Sequence, residues 1–320
     1  MTIKIAGTGS CLPGTVVTND DLAAVMETSD EWISSRTGIR ERRLAKDETT
    51  TGMALEASLQ ALADAGLSAK DLDLIIVGSI TGDFVTPSTA CELQAALGAD
   101  KAVAFDINAA CSGFMFALNT AYAYLQSGMY ETALVVGAET LSKMMDWTDR
   151  STCVLFGDGA GAAVVQRSSQ GIFVFEQGSD GKRGQAIFCR NRPCSNFLVQ
   201  RDFVQDFIHM NGQEVYKFAV GTVPASINRV LEKAKIEAKQ IDYFILHQAN
   251  LRILQAVAKR LKAEENKFPI SLDHCGNISA ASVPILLDEM NKKGALKRGD
   301  LLVLSGFGAG LTWGTAVLEW

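Results

Sequence analysis

Residues 65–77 read AGLSAKDLDLIIV, and the chain matches them without gaps at 234–246, AKIEAKQIDYFIL. Five of the thirteen positions are identical. Each copy reads as a helix end, a short polar turn, an aspartate and an apolar run, and such a run bounded by a turn is the mark of a buried strand. A second echo pairs Phe156-Gly157, followed by Gly161-Ala-Ala-Val-Val, with Phe307-Gly308, followed by Gly314-Thr-Ala-Val-Leu. Two matches in the same order, about half a chain apart, point to two similar halves packed together, whereas a solenoid would show many short copies.

Outward from these copies, strand-like runs alternate with helical periodicity. Strands are expected at 3–7, 74–78, 102–107, 133–137, 161–165, 171–176, 243–246, 301–305 and 314–318. Helices are expected at 53–65, 88–97, 112–127, 213–220, 222–235, 250–262 and 282–293. The alternation predicts an α/β fold with buried sheets, divided into halves at 1–170 and 171–320. The length, 320 residues with 48% hydrophobic, suffices for a large core.

The formal net charge is −6 and the pI about 5.2. An acidic surface speaks against general nucleic-acid binding. Seven cysteines without paired spacing read as reduced thiols of a cytoplasmic protein. Thr8 and Ser10 interrupt the first apolar run early, and no run reaches the roughly 18 apolar residues that span a bilayer. No membrane partner is expected.

Cys111 lies in FDINAACSGF (105–114), where a strand pattern ends, small residues follow, and a helical pattern begins near Ser112. A thiol at a helix N-terminus faces unpaired N–H groups and a positive dipole, which lower its pKa and make it a nucleophile. The alternative is a buried cysteine acting as a small hydrophobe. His247 directly follows the strand 243–246, at the carboxyl end where α/β folds place ligands; a hydrogen-bonded core histidine is the other reading. Asn277, in SLDHCGNISAASVP (271–284), is either a turn residue or a neutral amide donor able to stabilise an enolate beside an imidazole. LSGFGAGLTWG (304–314) can bring backbone N–H groups against a carbonyl. FGDGAGAAVV (156–165) precedes a strand rather than a helix, so it is a close-packing segment and not a dinucleotide fingerprint.

Together with TSDEWISSRTGIRERR (28–43), DWTDRST (146–152) and HQANLRI (247–253), these segments resemble the β-ketoacyl-acyl carrier protein synthase III family, nearly end to end. The resemblance implies a thiolase-like fold of two duplicated α/β halves in α-β-α-β-α layers, usually as a homodimer. It implies Cys111 as acyl acceptor, His247 and Asn277 as the pair promoting decarboxylation, and the N–H groups of Cys111 and Ala309 as an oxyanion hole. Coenzyme A contacts fall on Thr28, Trp32, Arg36, Arg150, Gly212, Tyr216, Asn250 and Arg252. Acyl carrier protein contacts fall on Lys217, Gln248, Ala249, Asn250, Leu251, Arg252, Lys259 and Arg260. Thr86 corresponds to a position that closes the far end of the partner subunit's acyl pocket. The implied reaction condenses an acyl-CoA with malonyl-acyl carrier protein, with no cofactor and no metal. Two departures stand out: Gly308-Ala309-Gly310 replaces a usual triple glycine, and Ile278 replaces a usual threonine.

A thiolase would need a second cysteine in 304–314, and elongating ketoacyl synthases use two histidines where this chain offers His247 and Asn277. A papain-like hydrolase lacks both the thiol context and any reason for the repeat. A starter-unit or quinolone-type condensing enzyme keeps the same triad and stays open. A non-catalytic carrier-binding relative would have no reason to keep Cys111, His247 and Asn277.

Overall fold

A computed structural model describes all 320 residues. The N-terminal part runs β1 (Thr2–Cys11), β2 (Val16–Thr18), α1 (Asn19–Ala23), α2 (Asp30–Thr37), β3 (Glu41–Arg43), α3 (Thr50–Ala65), β4 (Leu74–Gly78), α4 (Thr89–Leu97), β5 (Val103–Ile107), α5 (Gly113–Gln126), β6 (Thr132–Thr140) and β7 (Asp158–Ser168). It continues with β8 (Phe173–Ser179), β9 (Ile187–Phe188), β10 (His209–Met210), α6 (Gly212–Ala234), β11 (Tyr243–Leu246), α7 (Leu251–Leu261), α8 (Leu272–Cys275), α9 (Ser282–Lys292), β12 (Leu301–Gly308) and β13 (Thr312–Glu319).

Two sheets carry the duplication. One is ordered β1-β7-β6-β4-β5, the other β8-β13-β12-β11. β4 runs parallel to β6 as β11 runs parallel to β12, and every other pair from β6 to β1, or from β12 to β8, is antiparallel. The repeat 65–77 on 234–246 therefore lays β4 on β11, and the second echo lays β7 on β13.

Side chains alternate across each strand, and the layers follow from that. Leu74, Ile76, Ala133 and Val135 point into a cluster shared with Ile245, Leu302 and Leu304 of the other sheet, filled by Phe114, Leu118, Val283 and Leu286 of α5 and α9. Ile75, Val77, Leu134 and Val136 point outward onto Met53, Ala57 and Leu93 of α3 and α4. Phe244, Leu246 and Val303 point outward onto Val223, Ile227, Leu254 and Val257 of α6 and α7. The order is helices, sheet, helices, sheet, helices. A Cβ at Gly161 would lie 2.6 Å from the Ile285 nitrogen, so the glycine-rich 156–165 does serve close packing, here of β7 against α9.

The two buried helices begin alike. A 3-10 turn over Ala110–Ser112 precedes α5, and one over Ser279–Ala281 precedes α9. Both turns open on a non-glycine residue in the left-handed region, Ala110 at φ 45° and Ser279 at φ 43°. Ala110 and Ser279 are separated by the same number of positions as Ala65 and Ala234. Short elements such as α1, α8, β2 and β3 were not expected, and two longer ones also depart from expectation. α6 runs unbroken from Gly212 to Ala234, joining the expected 213–220 and 222–235, and carries Pro224 inside it; the missing proline N–H costs one helix bond, which the buried face (Phe218, Val223, Ile227, Val230) outweighs. α2 was not expected; Ser29 caps its start and Gly38, at φ 84°, ends it. No helix is long and apolar enough to cross a membrane.

Candidate active site

The starts of α5 and α9, the carboxyl ends of β11 and β12, and the start of α6 meet around a cavity of about 150 Å³, mostly apolar in its lining. Cys111, His247, Asn277 and Ala309 all open into it, with Gly212, Tyr216, Ala249 and Asn250. Residues more than 160 positions apart converge because the two halves present equivalent helix starts to one another.

Cys111 keeps part of its surface accessible. Burial nevertheless pushes the thiol up to about 11, against the lowering effect of the Ser279 hydroxyl and the backbone N–H. The expected lowering by the helix terminus is thus reversed: desolvation against an apolar wall outweighs the dipole. Gly308 abuts the nucleophile, and a Cβ there would lie 2.7 Å from the Cys111 Cβ. Ala309 needs no left-handed backbone, because that conformation falls to Gly310 at φ 131°. The missing third glycine is therefore harmless. Ile278 is fully buried with Cys275, Ala281 and Ile285 and faces away from the reacting groups.

His247 is 1% exposed, and burial lowers its pKa to about 3, so its imidazole is neutral. Its Nδ1 lies 2.7 Å from Ser282 Oγ, whose hydroxyl donates to the Ser279 carbonyl at 2.9 Å. A hydroxyl has one proton to give, so Nδ1–H is the donor to Ser282 and Nε2 carries the lone pair. Phe307 meets the imidazole edge-on at 5.1 Å. Asn277 accepts the Ser279 N–H on Oδ1 at 2.9 Å. Because a backbone N–H can only donate, the amide orientation is fixed and Nδ2–H₂ is left as a donor.

Outside the cavity, Trp32 carries the guanidinium groups of Arg36 at 4.7 Å and Arg150 at 5.1 Å over its ring. Arg150 is tied to the Glu27 carbonyl beside Thr28, whose Oγ1 is buried without a partner. Arg252 donates to the Ser35 carbonyl and Asn250 to the Arg36 carbonyl, so α2 is laced to the start of α7. On α7, Arg252, Lys259 and Arg260 are exposed. Lys217, on α6, is 69% exposed and paired with Glu214.

One expectation is corrected. Gln248 is fully buried: its amide donates to the Leu246 carbonyl and accepts from Ser271 and Leu272 N–H. It cannot reach a protein partner and instead fixes the turn after His247. Thr86 is exposed and takes no part in the cavity of its own chain. Three residues went unnoticed in the sequence. Ser282 and Ser279 sit inside the quoted GNISAASVP, and laying 108–113 on 277–282 would have set Ser279 opposite Ala110. Glu139, an acid inside an apolar strand run, is fully buried.

The 3-oxoacyl-[acyl-carrier-protein] synthase III family matches residues 105–181, and its C-terminal part matches residues 231–320. The β-ketoacyl-[acyl-carrier-protein] synthase III of Clostridium acetobutylicum is 48% identical, over 99% of this chain and 98% of its own. The chain belongs to this family. The crystal structure of the synthase III from Aquifex aeolicus superposes with a TM-score of 0.93 at 45% identity, over 99% of this chain and all of its own. The priming β-ketosynthase of the R1128 polyketide pathway superposes with a TM-score of 0.91 at 35% identity, over 99% of this chain and 96% of its own. Membership settles the enzyme class: this is an acyltransferase with a thiolase-like fold, and the condensation it performs initiates fatty acid synthesis.

Proposed function

We propose that Cys111 takes the acyl group of an acyl-CoA, and that a malonyl-acyl carrier protein then loses carbon dioxide in the same cavity and attacks it. The observation that carries this reading is that Cys111, His247 and Asn277 open into one apolar cavity. The thiol attacks the thioester carbonyl, whose oxygen is held by the N–H groups of Cys111 and Ala309, and coenzyme A leaves. Carbon dioxide loss then delivers the carbanion equivalent without a strong base, so the chemistry needs no cofactor.

The enolate oxygen needs donors. Asn277 Nδ2 supplies one. His247 supplies the other as its second tautomer: Nε2 takes up a proton from solvent in the cavity, Nδ1 releases one in exchange, and Ser282 turns its hydroxyl to donate to the bare Nδ1. That rearrangement forfeits the Ser282 bond to the Ser279 carbonyl, about 1 kcal/mol, against about 2.7–4 kcal/mol for an oxyanion donor. The donor wins.

Trp32, Arg36, Arg150, Asn250 and Arg252, with Thr28, Gly212 and Tyr216, form the coenzyme A track: a flat ring with planar cations at the mouth and the narrow apolar cavity below. Lys217, Lys259 and Arg260, with Ala249, Leu251 and Arg252, form the carrier-protein surface, a local basic field on an acidic enzyme. β5 is a half-exposed sheet edge, with Val103 47% exposed, and Phe84 and Val85 are 60% and 101% exposed nearby in sequence; such surface suits a homodimer interface. The enzyme works in the cytoplasm, as halves 1–170 and 171–320 of one unit. Starter-unit condensation for a polyketide, supported by the likeness to the R1128 enzyme, uses the same chemistry.

Intact-mass measurement after incubation with a panel of acyl-CoAs tests the reading. The expected result is one acyl adduct per chain, lost in Cys111→Ala. Labelling that persists in Cys111→Ala overturns it.

A further inference from the structure

One buried acid takes no part in the condensation itself. Glu139, next to last in β6, is fully buried. Its Oε2 accepts from Ser79 Oγ at 3.4 Å, from the Ile80 N–H at 3.2 Å and from Thr81 Oγ1. Its Oε1 has no partner, and neither has Ser279 Oγ, although both are buried. An unpaired buried polar atom costs about 1–3 kcal/mol, and two of them in the surroundings of Cys111 call for a function.

Ser279 lines the cavity with Cys111, and its hydroxyl acts on both the nucleophile and the acid. Its hydroxyl stabilises the charged form of both Cys111 and Glu139, yet forms a full hydrogen bond with neither. One hydroxyl proton cannot serve both at once, and a small turn about Ser279 χ1 gives it to either. Ser279 is held there by its left-handed backbone and by its N–H bond to Asn277.

We infer that Glu139 holds the proton of Cys111 between the two half-reactions, acting through the Ser279 hydroxyl. It is a positioning residue for that proton and touches no substrate. In acylation the Cys111 S–H bond breaks as the Sγ–acyl bond forms. The thiol proton passes to Ser279 Oγ while the Ser279 proton passes to Glu139 Oε1. Coenzyme A leaves as a thiolate and takes a proton from solvent. In condensation the new carbon–carbon bond forms and the Sγ–acyl bond breaks. The released thiolate takes the Ser279 proton, and Ser279 is refilled from Glu139. The malonyl carboxylate leaves as carbon dioxide, and its charge is matched by the solvent proton that neutralises coenzyme A, so the cycle balances with one proton consumed.

The surroundings suit the task. Burial raises Glu139 to about 7, where it both accepts and donates. The other ionisable groups near it are Cys111, a neutral thiol whose pKa the Glu139 charge raises, and Lys143, whose amine is bonded to the Thr81 and Gly82 carbonyls. His247 opens into the same cavity and is neutral. Ser79, Ile80, Thr81 and Ser279 contribute only neutral donors.

The inference rests on the acyl-transfer reading above, and its test separates the two. Acylation needs ionised Glu139, so its single-turnover rate in the native enzyme should rise with pH through about 7. Condensation of pre-acylated enzyme needs the protonated acid, so its rate should fall through the same window. In Glu139→Gln both inflections should vanish, with acylation at pH 8 slowed about 10²-fold. Ser279→Ala should do the same, and its fold is safe because Ala110 already holds the equivalent φ. Unchanged inflections in both variants overturn the proton store while leaving the acyl-transfer reading intact. Acyl labelling in Cys111→Ala overturns both.

Discussion

Gly308 stands directly over Cys111: a Cβ added there would lie 2.7 Å from the Cys111 Cβ and 3.0 Å from its Sγ. The Cβ is fixed to the backbone and cannot rotate away, so the strand or the nucleophile must shift. Gly308→Ala should therefore slow acylation of Cys111 by about 10²-fold, the usual penalty for moving a reacting atom by about 1 Å. Circular dichroism should stay that of the native protein, because the rest of β12 keeps its pairing. Native acylation in Gly308→Ala would show that the close approach has no catalytic consequence.

Much of this arrangement was legible in the sequence, for definite reasons. The starts of β4 and β11 were marked by one repeated turn, and the pairing of strands in both sheets follows the repeat. Cys111 was findable because it follows a strand run among small residues and His247 because it directly follows β11, whereas Asn277, in a loop, and the pairing of all three came from the family resemblance. Other features were not legible. Ser279 reads as a plain small residue, and only its left-handed backbone, its burial and its lone hydroxyl single it out. The tautomer of His247 depends on which way Ser282 points, a fact of three-dimensional packing. The shift of Cys111 toward a neutral thiol reflects the apolar wall supplied by the other half, which no local motif reports. Gln248 misled because its motif neighbours Asn250 and Arg252 do reach the surface.

His247→Ala and Asn277→Ala should each leave acyl transfer to Cys111 largely intact and slow decarboxylative condensation by about 10²–10³-fold. Ser282→Ala should behave as a weaker His247 variant, since the ring keeps its place against Phe307 but loses the group that turns its tautomer. Separate measurement of acyl-enzyme formation and of carbon dioxide release checks both. A His247 or Asn277 variant that fails to acylate yet decarboxylates normally would reverse the assigned roles.

Arg252, Lys259 and Arg260 lie on the exposed side of α7, whose other side packs Ile253, Leu254 and Val257 into the core. Charge reversal at Lys259 should therefore leave the fold alone, whereas Arg252→Glu also breaks the bond to the Ser35 carbonyl. Both should raise KM for malonyl-acyl carrier protein, more at low salt than at high. Acylation by acyl-CoA should respond only to Arg252→Glu. Carrier kinetics indifferent to Lys259→Glu at all salt concentrations would mean that this side of α7 is merely solvated.

Thr86 is the residue through which one copy of the chain should set the primer length of another. It is exposed and precedes the cis peptide of Pro87, next to Phe84 and Val85, and it lies outside the cavity of its own chain. Any effect on the acyl group must therefore come from a second copy laid against this loop. A threonine there leaves room for several methylenes, each worth about 0.8 kcal/mol when buried, or about fourfold in kcat/KM. The unmodified enzyme should accept branched or medium-chain acyl-CoA as well as acetyl-CoA. Thr86→Phe should depress the longer primers by at least that factor per methylene excluded and spare acetyl-CoA. Because the side chain is exposed within its own chain, the thermal midpoint of each folded subunit should hardly move. Competition between acetyl-CoA and a longer acyl-CoA, read by intact mass on Cys111, measures the ratio directly. An unchanged ratio in Thr86→Phe would place the end of the acyl pocket within a single chain, among Leu141, Ile187 and Ile208 of the cavity wall.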